Sequence, residues 1–186
     1  MGGKIRFNVA KFGAKVASQV SKFGFGSGNN LPGYVFYKIA GKEALKDLAH
    51  EMSIGPILIT GTNGKTTTTT LLIKLLSADT KIRKSFESNT IHAITTGILK
   101  GDGDLGVFEY GIRNKSYGIP DTVQRLIDPV GVVYTTISRE HSQVAGVKNP
   151  FEEYVDAKSL LSQGMTRGVV ISNADDLSLI HISEPT

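Results

Sequence analysis

The chain has 186 residues, 40% hydrophobic and 20% charged, enough for one domain with a real core. No run reaches the ~18 apolar residues of a membrane-crossing helix, and the basic N-terminus lacks the apolar segment and cleavage site of a secretory leader. Cysteine is absent, which excludes disulfides and thiolate metal sites within these residues and fits a cytoplasmic location. The net charge of +4 is uneven, because Lys4, Arg6, Lys11, Lys15, Lys22, Lys38 and Lys42 all precede the first acid, Glu43. The excess describes an N-terminal arm and does not argue for a nucleic-acid partner.

In chain order, "GKIRFNVAKFGAKVASQVSKF" sets Ile5, Val9, Phe12, Val16, Val20 and Phe23 three and four apart, predicting an amphipathic helix with lysines on its other face. "GFGSGNNLPG" breaks it. A short apolar piece, "YVFYKIA", and a helix around Lys42–Met52 complete a basic arm over residues 1–52. From Ser53 the pattern alternates: "PILIT" reads as a strand and "TTTLLIKLL" as a helix. "HAITTGILK" is helical, "LGVFEY" a strand, "PDTVQRLI" a helix and "VGVVYTT" a strand. "PFEEYVDAKSLLSQG" is a helix closed by Gly164, and "RGVVIS" is a strand. The expected fold is α/β: a mostly parallel, P-loop NTPase-like sheet with helices on both faces, over residues 53–176.

"ITGTNGKTTTTTLL" (Ile59–Leu72) joins the first strand to its helix. A strand, a glycine loop and a helix N-terminus together cradle phosphates, because bare N–H groups and the positive end of the helix dipole meet the anion. Gly61, Thr62, Asn63 and Gly64 form the loop; Lys65 reaches the β- and γ-phosphates, and the Thr66 hydroxyl ligates Mg²⁺. Thr67 and Thr68 lie in the first turn, where hydroxyls serve orphan N–H groups or phosphate oxygens. Thr69 and Thr70 read as helix–sheet packing. The strict spacing G-x-x-x-x-G-K-[ST] fails, because Ile59 stands where its first glycine belongs, while the shorter G-T-N-G-K-T-T is met. The plainer alternative is a glycine turn without a ligand.

With these residues the sequence resembles the Mur ligase family, the ATP-dependent amide ligases of cell-wall peptide synthesis, whose relatives include folylpolyglutamate synthases. "GTNGKTTTT" resembles that family's nucleotide loop, and further matches follow in order. "FEYG" resembles its metal-binding glutamate at a strand end, here Glu109; "TTISREHSQVAG" resembles the segment with an acid and a histidine, here Glu140 and His141. "NPFEEYVDAKSLL" resembles the helix whose lysine many members carbamylate, here Lys158, and "ESN" resembles the asparagine site near the substrate phosphate, here Asn89. The likeness runs from about Ile57 to Asp176. Only about fifty residues precede the loop, where the classical members carry a UDP-binding domain. That arm is more similar to archaeal pseudomurein peptide ligases, or to the amidating subunit of a glutaminase-coupled lipid-precursor amidotransferase. The absence of a cysteine zinc ribbon favours the former.

The resemblance implies an ATP- and Mg²⁺-dependent acid–amino-acid ligase acting through an acyl phosphate. Its substrates would be a UDP- or lipid-linked peptide precursor and an amino acid; under the amidating alternative a glutaminase is the partner. Thr66, Glu109 and His141 would be metal ligands, and Lys65, Glu109, His141 and Lys158 the catalytic set. Each has a plainer reading: Glu109 as a solvated strand end, His141 as a loop histidine, and Lys158 as a surface ion pair with Glu152, Glu153 or Asp156. The basic arm either packs on the core or meets anionic lipid or a lipid-linked substrate. The last ten residues, "LSLIHISEPT", resemble translated sequencing adapter; residues 177–186 are therefore expected to be non-native and the domain incomplete, leaving this stretch to bind nucleotide without ligating.

Overall fold

The computed structural model describes residues 2–21, 29–141, 148–176 and 178–179. Its element order is α1 (Gly2–Ser21), α2 (Leu31–Ala40), α3 (Ala44–Ala49), β1 (Gly55–Thr60), α4 (Lys65–Leu76), β2 (Ile82–Ser88) and α5 (Ile91–Lys100). There follow β3 (Leu105–Tyr110), α6 (Lys115–Gly118), α7 (Pro120–Ile127), β4 (Gly131–Tyr134), a 3₁₀ turn at Arg139–His141, α8 (Pro150–Ser159) and β5 (Val169–Ser172). The five strands form one sheet in the order β2-β3-β1-β4-β5, and every pairing is parallel. The expected α/β architecture is therefore present. Among the described residues no helix is long and apolar enough to cross a membrane.

The two faces of the sheet are read off alternate residues, since successive strand side chains point to opposite sides. Ile57 and Ile59 of β1, Val107 of β3 and Val133 of β4 face α4, packing against Leu72, Ile73 and Leu76. Leu58, Phe108 and Val132 face the other way, into a larger core shared with α1, α2, α3, α5, α7 and α8. Phe36, Leu45, Leu48 and Met52, all before β1, are buried in that same core.

The short α6 was not expected, and α8 ends at Ser159 where the sequence pattern runs the helix on to Gly164. Three further elements differ from the sequence expectation. "YVFYKIA" belongs to a full helix, α2, which opens on Pro32 and buries Pro32, Gly33 and Phe36. The strand β2, "IRKSFES", escaped notice because it is an outer strand with polar side chains and a register shift between Ser85 and Ser88. The third concerns α1, which forms as expected but packs on the unexpected face. Ala10, Ala14 and Ala17 are buried against α2, whereas Ile5, Val9, Phe12, Val16 and Val20 are between 45% and 69% exposed. Small side chains let the two helix backbones approach; the large ones are turned outward. Phe23 lies outside the described residues. So do Leu177 and residues 180–186; Leu179, between them, is buried in the main core.

Candidate active site

The loop after β1 is held from several sides. Gly64 caps α4 at φ 82°, a left-handed conformation that glycine adopts without steric cost. Gly61 sits at φ 148°, and a Cβ there would lie 2.0 Å from Thr135 Oγ1, so the segment after β4 lies directly against the loop backbone. The Thr135 hydroxyl donates to the Asn63 carbonyl at 2.6 Å. The N–H groups of Asn63 to Thr67 donate to no acceptor among the described residues, which is the condition for receiving an anion at a helix start.

Thr62, expected as a loop ligand, is bonded within the protein. Its N–H donates to the Thr136 carbonyl, and its buried hydroxyl pairs with Tyr154 Oη at 3.1 Å and accepts from Ser138 N at 2.9 Å. Both of its donors are engaged inside the protein, so Thr62 ties the loop to α8 and to the segment after β4. Asn63 donates through Nδ2 to Glu140 at 3.0 Å, which brings the acid of the acid–histidine pair against the loop. The His141 side chain lies outside the described residues; its backbone belongs to the 3₁₀ turn. Thr69 is buried, as expected of a packing residue, whereas Thr70 is half-buried and donates to the Thr66 carbonyl at 2.7 Å.

Glu109 comes from β3, next to β1 in the sheet, and is buried. The Thr66 hydroxyl donates to its Oε2 at 2.9 Å. Two oxygen ligands on adjacent corners of an octahedron with ~2.1 Å bonds lie about 3.0 Å apart, so this pair fits Mg²⁺ in spacing and in chemistry. No cluster of three or more His, Asp or Glu suited to a metal occurs among the described residues. Lys65 donates to the Thr62 carbonyl at 2.7 Å; burial lowers its pKa, and the nearby Glu109 charge partly restores it.

Lys158 is not the surface ion pair that its neighbours in sequence suggested. It is 0% exposed, and its ammonium donates to the carbonyls of Ile112 at 3.0 Å and Gly61 at 3.3 Å, above the Tyr154 ring at 4.4 Å. Burial, assisted by the Lys65 charge, pulls its pKa down to about 7. Lys115 takes the acids instead, 3.6 Å from Glu153 and 3.5 Å from Asp156.

A cavity of about 200 Å³ brings together Lys65, Glu109 and Asn89 with Glu87, Arg113 and Tyr154. The last three were missed. Tyr154 stands four residues before Lys158 and so on the same helix face, a signal the spacing carried. Glu87, at φ 52°, is one of three non-glycine residues in the left-handed region among the described residues, and nothing in its identity announces that. On the other side of the loop a groove of about 500 Å³ is lined by Asn63, Thr68, Thr135, Ile171 and Asn173.

Residues 59–185 match the Mur ligase middle domain family. The chain belongs to the Mur ligase family. Among curated relatives, the UDP-N-acetylmuramoyl-tripeptide–D-alanyl-D-alanine ligase of Borreliella burgdorferi is 36% identical over 100 residues, 52% of this chain and 21% of that protein. The ligase of the same name from Bacillus subtilis is 29% identical over 141 residues, 72% of this chain and 30% of that protein. A crystal structure of MurF from Acinetobacter baumannii superimposes with TM-score 0.62 at 22% identity, covering 76% of this chain and 32% of that one. MurF of Thermotoga maritima, solved in complex with ADP, gives TM-score 0.59 at 19% identity, covering 75% and 33%. This Mur ligase domain thus shares the fold of those structures and spans from about a fifth to a third of the lengths of these relatives.

Proposed function

We propose that the chain is the nucleotide-binding part of an ATP-dependent acid–amino-acid ligase of cell-envelope precursor synthesis. One observation carries this reading: a hydroxyl and a carboxylate from separate stretches of sequence, Thr66 and Glu109, meet at 2.9 Å beside Lys65, at the head of a loop with unpaired N–H groups. Joining a carboxylate to an amine in water is uphill, so the carboxylate needs activation. In the proposed reaction the γ-phosphoryl passes from ATP to the acceptor carboxylate, giving ADP and an acyl phosphate. The amine then attacks the acyl carbon and expels phosphate.

The protein contributes positioning and charge neutralisation. Backbone N–H groups of Asn63 to Thr67 and the Lys65 ammonium receive the β- and γ-phosphates. Thr66 and Glu109 hold Mg²⁺, which when bound offsets phosphate charge; His141 is assigned as a further ligand through the family likeness. Asn89 and the about 200 Å³ cavity take the acceptor carboxylate, and the larger groove takes the nucleoside. Lys158, deprotonated in part near neutral pH, is nucleophilic enough to add CO₂: its nitrogen bonds to the carbon, and one proton leaves to solvent. Uncharged or carbamylated, it braces the loop through Gly61.

The test is release of ADP and phosphate by the whole ligase of which this chain is the nucleotide-binding part. Release only when a UDP- or lipid-linked peptide acceptor and an amino acid are both present supports the ligase. Release driven by a glutaminase supplying ammonia assigns the amidating role instead. Tight nucleotide binding without turnover under any combination leaves a binding module and refutes ligation.

A further inference from the structure

The helix α1 shows a pattern that the nucleotide site does not use. Its large apolar residues form a continuous stripe on the outside of the protein: Ile5 63%, Val9 53%, Phe12 69%, Val16 47% and Val20 45% exposed. At ~3.6 residues per turn this stripe is centred about 130° from the face formed by Ala10, Ala14 and Ala17. It extends about 23 Å, at ~1.5 Å per residue. A soluble helix normally buries its apolar stripe against the core. Here α2 already occupies the alanine face, and the stripe is left over.

The charges beside the stripe share one sign. α1 contains Lys4, Arg6, Lys11 and Lys15 and no acid. Arg6 donates to the Ile39 carbonyl and Lys11 pairs with Glu51 at 2.6 Å, whereas Lys4 and Lys15 have no acidic partner among the described residues. Next to the stripe, a groove of about 700 Å³ runs between α1 and the end of α5, with Phe12, Pro32 and Leu99 on its walls and Lys11, Lys15 and Lys100 among its lining residues. Apposing two copies of this face would set lysines against lysines, so a second copy of the chain fits poorly. An apolar stripe bordered by cations, on a helix whose one other large apolar residue, Phe7, is turned inward against Phe36, fits a surface that is apolar below and anionic above.

We infer that α1 docks the protein on an anionic lipid bilayer, with Ile5, Val9, Phe12, Val16 and Val20 entering the headgroup–acyl boundary and Lys4 and Lys15 meeting lipid phosphates. The stripe is too shallow to span the bilayer, so docking is reversible and salt-sensitive. It stands apart from the nucleotide site and does not depend on the ligase reading.

Vesicle co-sedimentation of the whole chain tests it. Vesicles of phosphatidylcholine with about one third phosphatidylglycerol should bind the protein, and pure phosphatidylcholine should bind it at least about tenfold more weakly. F12E combined with V16E, at exposed positions, should lower partitioning onto anionic vesicles about tenfold or more while circular dichroism and melting stay unchanged. The chain has no tryptophan, so Phe12→Trp supplies a single reporter whose emission should shift to the blue with anionic vesicles. Absence of binding to anionic vesicles overturns the inference, as does equal binding by the double variant. Self-association abolished by F12E and V16E, without vesicle binding, would show a second copy on this face and overturn it too.

Discussion

Replacing Lys158 by methionine should change stability in a manner that depends on pH. The side chain is fully buried, and its pKa falls from the ordinary 10.5 to about 7 through burial first and the Lys65 charge second. Between those limits the unfolded chain keeps a proton that the folded chain has released. Stability therefore rises with pH across the window, and below about pH 7 the cost of burying the ammonium is felt in full. At about 1.4 kcal/mol per pH unit, the whole window is worth on the order of 4–5 kcal/mol. Methionine keeps much of the volume and cannot titrate, but it leaves the Gly61 and Ile112 carbonyls without this donor, at about 1 kcal/mol or more each. The stability of the wild type minus that of K158M should be small or negative near pH 6.5 and should grow by about 1.4 kcal/mol per unit toward pH 9. Urea denaturation at a series of pH values reads this directly. A difference that stays flat with pH would show that Lys158 retains an ordinary proton affinity, and the basis for its reaction with CO₂ would go with it.

Other consequences follow from single contacts. Lys65→Ala should weaken ATP binding by about 100-fold, roughly 2.7 kcal/mol, in calorimetric titration, because an ammonium–phosphate pair is lost. Glu109→Gln should leave Mg²⁺-free nucleotide binding close to wild type and flatten its enhancement by Mg²⁺, which binding measured with and without chelator would reveal. Gly61→Ala puts a methyl 2.0 Å from Thr135 Oγ1 in a left-handed backbone and should cost about 2–4 kcal/mol in denaturant melts. Tyr154→Phe, which removes the hydroxyl bonded to Thr62, should cost about 0.5–1.5 kcal/mol by the same melts.

The parts of the fold that could be read from sequence are those where one physical pattern dominates. β1, β3 and β4 are short apolar runs between turn signals, and the central strands of a parallel sheet must be apolar on both faces. β2 lies at one edge, carries Arg83, Lys84 and Glu87, and bends at a register shift, so its period-two signal is weak. In α1 the apolar spacing correctly indicated a helix and wrongly suggested which face would be buried. The alanines at 10, 14 and 17 carried the packing information, since close helix approach favours small side chains. At the site, the loop and Glu109 could be singled out because their residue types are chemically distinctive, and the structure sets them side by side. The internal partners of Thr62 were not legible, because sequence shows which hydroxyls exist and not which are already bonded. Tyr154 was signalled only by its spacing from Lys158, and Arg113 reaches the cavity through the turn after β3.

Everything proposed for the site requires that triphosphate bind the loop from Gly61 to Thr67 with a divalent ion between Thr66 and Glu109. Calorimetric titration of the folded chain with MgATP, set beside Lys65→Ala and Glu109→Gln, tests this most directly. Binding should be enhanced by Mg²⁺ in the wild type, nearly lost in K65A, and deprived of the enhancement alone in E109Q. Equal MgATP affinity in all three proteins, or no nucleotide binding by a wild type shown to be folded, would contradict it.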